Sequence, residues 1–176
     1  GAIYNAGSLT INGSIITDHN ANFGGGLYSL TGSSINITNS TVSGNSATSG
    51  GGLWTNSDAT ITLSEFSGND VTAAGGAILG TGCNALLIMS ESTLNNNSAG
   101  GPGGGIYNTG VALMVDSTLS GNNAGTGGGV YNNKTVTEIG VLVQACGGVV
   151  EINRSTLDGN SSSGNGGGIL NSIGQA

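Results

Sequence analysis

Gly24-Gly25-Gly26-Leu27-Tyr28 is followed one step on by Gly50-Gly51-Gly52-Leu53-Trp54. The run returns as Gly75-Gly76-Ala77-Ile78, Gly103-Gly104-Gly105-Ile106-Tyr107-Asn108, Gly127-Gly128-Gly129-Val130-Tyr131-Asn132 and Gly166-Gly167-Gly168-Ile169-Leu170-Asn171. Gly1-Ala2-Ile3-Tyr4-Asn5 opens the series. The apolar residue after the glycines falls at 3, 27, 53, 78, 106, 130 and 169, so the steps are 24, 26, 25, 28, 24 and 39. A near-constant period of this size marks a stacked-repeat fold, in which each unit covers its neighbour's apolar face.

A second motif keeps the same period: Ser40-Thr41-Val42-Ser43-Gly44-Asn45, Ser64-Glu65-Phe66-Ser67-Gly68-Asn69, Ser92-Thr93-Leu94-Asn95-Asn96-Asn97, Ser117-Thr118-Leu119-Ser120-Gly121-Asn122 and Ser155-Thr156-Leu157-Asp158-Gly159-Asn160. Its first copy, Ser14-Ile15-Ile16-Thr17-Asp18-His19, is degenerate. Between the two motifs lies an alternating run such as Ser34-Ile35-Asn36-Ile37-Thr38. Each period thus holds three short extended stretches punctuated by Gly, Asn and Ser, which is the pattern of strands and not of helices. Glycine, 36 of 176 residues, is costly in a helix interior. Charged residues make up only 6%, against roughly 25% in ordinary soluble domains. A disordered chain would be rich in charge and proline; this one has a single Pro, and its apolar residues fall at set positions.

These features predict an all-β protein: a right-handed, single-stranded parallel β-helix (β-solenoid) of about six turns of about 25 residues, three short strands per turn, forming one segment over 1–176. Successive turns stack at ~4.8 Å. Aligned on the period, the inward columns read Ile3, Leu27, Leu53, Ile78, Ile106, Val130, Ile169; Leu9, Ile35, Ala59, Leu87, Ala112, Val150; Ile11, Ile37, Ile61, Met89, Met114, Ile152; and Ile16, Val42, Phe66, Leu94, Leu119, Leu157. Their burial, at about 25 cal/mol per Å2 of apolar surface, drives folding. Two polar columns run beside them. Asn45, Asn69, Asn97, Asn122 and Asn160 align, with His19 in that place in the first turn, and Ser14, Ser40, Ser64, Ser92, Ser117 and Ser155 form the other. Amides stacked at strand spacing bond along the column, so both columns are read as structural.

Gly75-Gly76-Ala77-Ile78 and Phe66-Ser67-Gly68-Asn69 resemble the GGAI and FxxN repeat motifs of bacterial polymorphic outer-membrane proteins. GGGIYN-type runs are similar to those of large secreted β-helical proteins. Most other turns carry Val or Leu where the motif has Phe. The resemblance extends over nearly the whole chain. It implies a surface adhesin, an autotransporter passenger or an extracellular structural role.

The one long step carries an insertion at about 135–146, apolar and outside the columns. Outward positions of the second strand turn apolar at Ile88, Leu113 and Val115, and the insertion is expected to cover them. Cys83 and Cys146 each lie four residues before an inward residue of that strand, Leu87 and Val150. They are two turns apart, ~9.6 Å at strand spacing. That exceeds the usual Cα separation of a disulfide, unless the loops on either side of the short intervening turn meet over it. A Cys83–Cys146 bridge is the expectation, with two free thiols the alternative.

The net charge is −7 and the only cations are Lys134 and Arg154, which excludes a basic nucleic-acid surface and attraction to anionic lipid. No apolar run reaches the ~20 residues of a membrane helix. Few charges and many Ser, Thr and Asn suggest an extracellular or cell-surface location. Glu91, Asp116 and Arg154 share one column, and paired carboxylates can act as acid and base. An ion-paired column is the simpler reading. His19 is read as a substitute for a column Asn. No cofactor or metal set stands out, so an enzyme such as a polysaccharide lyase or hydrolase ranks last.

Tyr4, Tyr28, Trp54, Tyr107 and Tyr131, with Leu79 among them, form an outward column: either a self-stacking ladder or a strip that contacts glycans. Asn12, Asn36, Asn39, Asn96, Asn133, Asn153 and Asn160 are formal N-glycosylation acceptors. The chain opens and closes on ordinary turns, without polar caps or a signal peptide. It is therefore expected to stack head to tail on copies of itself or to be an excerpt of a longer solenoid. The functional expectation is an extracellular structural solenoid, with an adhesin-like binding module second.

Overall fold

The computed structural model describes residues 1–139, 142–146 and 148–175, with backbone alone for 135–139, 142–145 and 173–175. No helix occurs among the described residues. Short strands stack as parallel sheets along one axis, giving a β-solenoid. The first rung runs Ile3–Asn5, Ser8–Asn12, Ile15–Thr17 and Asn20–Phe23. The second repeats it as Leu27–Ser29, Ser34–Thr38, Thr41–Ser43 and Ser46–Ser49. Sheets two, three and four each contain six strands, one per rung, and Ile169–Gln175 opens a further rung on the first sheet.

Each turn therefore has four strands, not the three expected. The additional strand follows the Ser/Asn motif, as in Ser46–Ser49, Asp70–Val71, Ser98–Pro102 and Asn123–Thr126. Its inward residues are Ala47, Val71, Ala99 and Ala124, which form a second, smaller cluster apart from the main core. Small side chains suffice because this sheet closes the section on itself. The strand is short and mostly Ser, Asn and Gly, so it carries little apolar alternation to read.

All four predicted aliphatic columns hold in register. Leu27 stands against Ile3 and Leu53; Ile61 against Ile37 and Met89; Phe66 against Val42 and Leu94; Ala112 against Leu87 and Val150. These side chains make one continuous core down the axis, with Phe66, Ile61, Met89 and Leu94 fully buried.

The section turns at corners in the left-handed backbone region. One corner column is Gly24, Gly50, Gly75, Gly103, Gly127 and Gly166, with φ from 58° to 76°. A Cβ at Gly75 would lie 2.7 Å from Leu79 Cβ and 2.8 Å from Ile78 O, so the turn needs glycine for space as well as for φ. A second column, also at positive φ, has glycine only in the first rung: Gly13, Asn39, Leu63, Glu91, Asp116 and Arg154, φ 48° to 57°.

The corner between the first and second sheets alternates in length. It is two residues at 6–7, four at 30–33, two at 56–57, five at 81–85 and two at 109–110, and at 133–148 the chain makes further strands in place of a plain corner. That stretch contains the insertion. Val130–Ile139 and Leu142–Cys146 form an antiparallel hairpin, and Val130–Val136 also pairs in parallel with Ile169–Gln175. Val136 pairs with both Gln175 and Ala145. The returning strand therefore takes the edge of the long strand on which Ile106–Asn108 sits, in line with the fifth rung. The insertion is thus an extension of the first sheet. The expected cover over Ile88, Leu113 and Val115 would be made by side chains of 135–145, which lie outside the described residues.

Candidate functional site

The predicted Asn column is a hydrogen-bond ladder inside the turn. Asn45, Asn69, Asn97 and Asn122 are fully buried. Each gives its backbone N–H and its Nδ2–H to Oδ1 of the next, at 2.9 to 3.1 Å, and Asn122 hands on to Asn160. The other Nδ2–H goes to the carbonyl of Ile16, Val42, Phe66 or Leu94. Every polar atom of these buried amides is used. His19 joins through its backbone N–H to Asn45 Oδ1 at 3.0 Å. The Ser column works likewise: from Ser40 on, each hydroxyl accepts a backbone N–H from the rung before, as Ser64 does from Ser40 and Ser92 from Ser64. Each also donates to the carbonyl two residues back.

A second amide ladder follows the Ile-Tyr-Asn runs, beyond the columns expected from the sequence. Asn108 donates to Asn132 and Asn132 to Asn171, both at 2.9 Å, while Asn5 donates to Ser29. The signal was the repeated Asn two residues after the inward apolar residue.

The aromatic column divides in two. Tyr4, Tyr28 and Trp54 stack with centroids 5.7 and 4.5 Å apart and planes within 22°, and Tyr107 stacks on Tyr131 at 5.3 Å and 9°. Leu79, buried, separates the stacks. Phe23 leans against Tyr28 and Trp54 at 6.4 and 6.5 Å. The rings lie face to face along the rod, so Tyr28 spends both faces on its neighbours and turns its edge to solvent. A pyranose stacks on a ring face, and this arrangement offers few.

Arg154 and Asp116 meet in a two-pronged pair, Nε to Oδ1 and Nη2 to Oδ2, each 2.7 Å. The Arg154 hydrogen bond holds the Asp116 carboxyl below its ordinary range, and Asp116 raises Arg154 in turn. Glu91 shares the corner column but makes no ion pair among the described residues. Nor is there a His/Cys/Asp/Glu cluster able to hold a metal among them.

Cys83 and Cys146 form a disulfide, Cα to Cα 4.7 Å. It bridges the five-residue corner at 81–85 to the inserted hairpin, over the two-residue corner at 109–110. Among the sequons, Asn12, Asn36, Asn39 and Asn96 are exposed. Asn160 is committed to the ladder through Nδ2 to Leu119 O and Oδ1 to Asn122. Asn153 donates to Glu151, and Asn133 to the Tyr107 hydroxyl, with Asn133 Oδ1 buried and without a hydrogen-bond partner among the described residues. A groove of about 340 Å3 crosses the second to fourth rungs at the corner between the first two sheets.

The Chlamydia polymorphic membrane protein repeat matches at residues 91–109 and 154–172. Both matches run from the left-handed corner residue through the Ser/Asn motif to the glycine run and the strand of the first sheet. The chain is thus a β-solenoid in which these two stretches are similar to the polymorphic membrane protein repeat. No curated protein and no solved structure gives a match.

Proposed function

We propose that this chain is a non-catalytic structural segment of a surface-exposed extracellular β-solenoid, assembling end to end. The repeat match and the solenoid fold support the coarser part, a surface-exposed repeat protein. The observation that carries the finer part is translational register. Ile3 stands on Leu27 as Val130 stands on Ile169, and the Asn ladder hands one bond pattern from rung to rung. One more rung of this kind extends the columns and ladders whether it comes from the same chain or from a second copy. Contact of this type is heterologous and does not close, so copies that stack grow into a fibre.

Sedimentation velocity over a range of micromolar concentrations tests the reading. Stacking predicts species that lengthen with concentration. A single sharp monomer boundary at every concentration overturns it.

A further inference from the structure

The alternation of corner lengths makes two equivalent gaps on one flank of the rod. One lies over the short corner 56–57, between the longer corners 30–33 and 81–85. The other lies over 109–110, between 81–85 and 133–148. The second gap is spanned by the Cys83–Cys146 disulfide and the returning strand of the hairpin. The first is the open groove of about 340 Å3. This lies at the small end of the ~300–1,000 Å3 of small-ligand pockets.

The floors of the two gaps differ. Asn56 and Asp58 line the open groove; the equivalent positions of the spanned gap are Thr109 and Val111. Asp58 pairs in register with Ser34 on the rung before, and beyond it the column becomes apolar at Leu86, Val111 and Val149. Both groove side chains are held by one atom and offer the other. Asp58 Oδ1 accepts the backbone N–H of Leu86 at 2.9 Å, and Asn56 Nδ2 donates to Thr31 Oγ1 at 2.7 Å. Asp58 Oδ2 and Asn56 Oδ1 have no hydrogen-bond partner among the described residues. Gly82 makes room beside the amide: a Cβ there would come within 3.0 Å of Asn56 Oδ1.

We propose that this groove is a binding site for a neutral saccharide unit, with adjacent hydroxyls donating to Asp58 Oδ2 and Asn56 Oδ1. Two fixed acceptors in a groove without a cationic side chain call for a ligand rich in donors and free of negative charge. Vicinal hydroxyls of a sugar ring supply such a pair. The carboxylate makes the stronger, charge-assisted bond. The site is separate from the aromatic column and does not depend on end-to-end stacking.

The test is a 1H–15N NMR titration of the full chain with cello-, chito- and maltotriose. Shift changes centred on 31–33, 56–58 and 82–85 are expected with at least one of them. Asp58→Asn and Asn56→Ala should each weaken binding by about tenfold or more, while Arg154→Ala leaves it unchanged. Asp58→Asn keeps an oxygen for the Leu86 N–H, and the melting temperature of each variant confirms that it folds. The proposal is overturned if none of the three sugars shifts these residues, or if the shifts fall on the aromatic column. It is equally overturned if Asp58→Asn and Asn56→Ala bind as the native chain does, or if calcium alone produces the shifts.

Discussion

Asn69 gives both its backbone N–H and its Nδ2–H to a single atom, Oδ1 of Asn97, at 3.0 and 2.9 Å. Asn97 in turn donates its Nδ2–H to the carbonyl of Phe66 at 3.0 Å, the residue that carries the bulkiest side chain of the core. Replacing Asn97 by Ala strands two donors and one acceptor where no water reaches. Unsatisfied buried groups cost about 1–3 kcal/mol each, and partial relaxation brings the expected loss to roughly 3 kcal/mol. Urea unfolding of Asn97→Ala against the native chain checks this; a loss no greater than that of an exposed Asn, such as Asn96→Ala, contradicts it.

Leu63 occupies a corner position at φ 51° with its side chain largely in solvent. The same corner is filled by Asn39 one rung earlier and by Gly13 before that. Leucine is disfavoured in the left-handed region by ~1–2 kcal/mol, whereas Asn tolerates it. Leu63→Asn is therefore expected to stabilise the protein by about 0.5–1 kcal/mol, read as a raised melting temperature.

Arg154 and Asp116 are both well exposed, so their pair adds little at neutral pH. Its signature is in the acid limb. The Arg154 bond lowers the Asp116 pKa below its ordinary 3.8, so the folded state holds the proton less tightly than the unfolded chain. The contribution is fully present above that ordinary value and disappears as the pH falls through the lowered one. The stability difference between native protein and Arg154→Ala should be constant above about pH 5 and vanish in stronger acid. A difference that grows on acidification contradicts the assignment.

Cys83 and Cys146 close a loop of 63 residues in sequence. Alkylation without reduction should label neither thiol in mass spectrometry, and labelling of both contradicts the bridge. The double variant Cys83→Ser/Cys146→Ser should lose about 2–4 kcal/mol.

Much of this architecture was legible because a solenoid writes one rule many times. The columns through Leu53, Ile61 and Phe66 could be aligned from spacing alone, and the Asn ladder through Asn97 followed from the same alignment. The fourth strand was not legible, since Ala47 and Ala99 are too small and too isolated among Ser and Gly to show a period. The hairpin of Val130–Ile139 and Leu142–Cys146 was not legible as an extension of the first sheet, because the long step marks an insertion but offers no repeated column to align it. The groove at Asn56 and Asp58 arises from alternating corner lengths. Those lengths are plain in the chain only once the strand ends are known.

Negative-stain electron microscopy of the concentrated 176-residue chain tests end-to-end assembly most directly. Six rungs at ~4.8 Å make a unit about 30 Å long. Stacking predicts rods of constant width with lengths at multiples of that unit, growing with concentration. A field of uniform single particles at every concentration contradicts it.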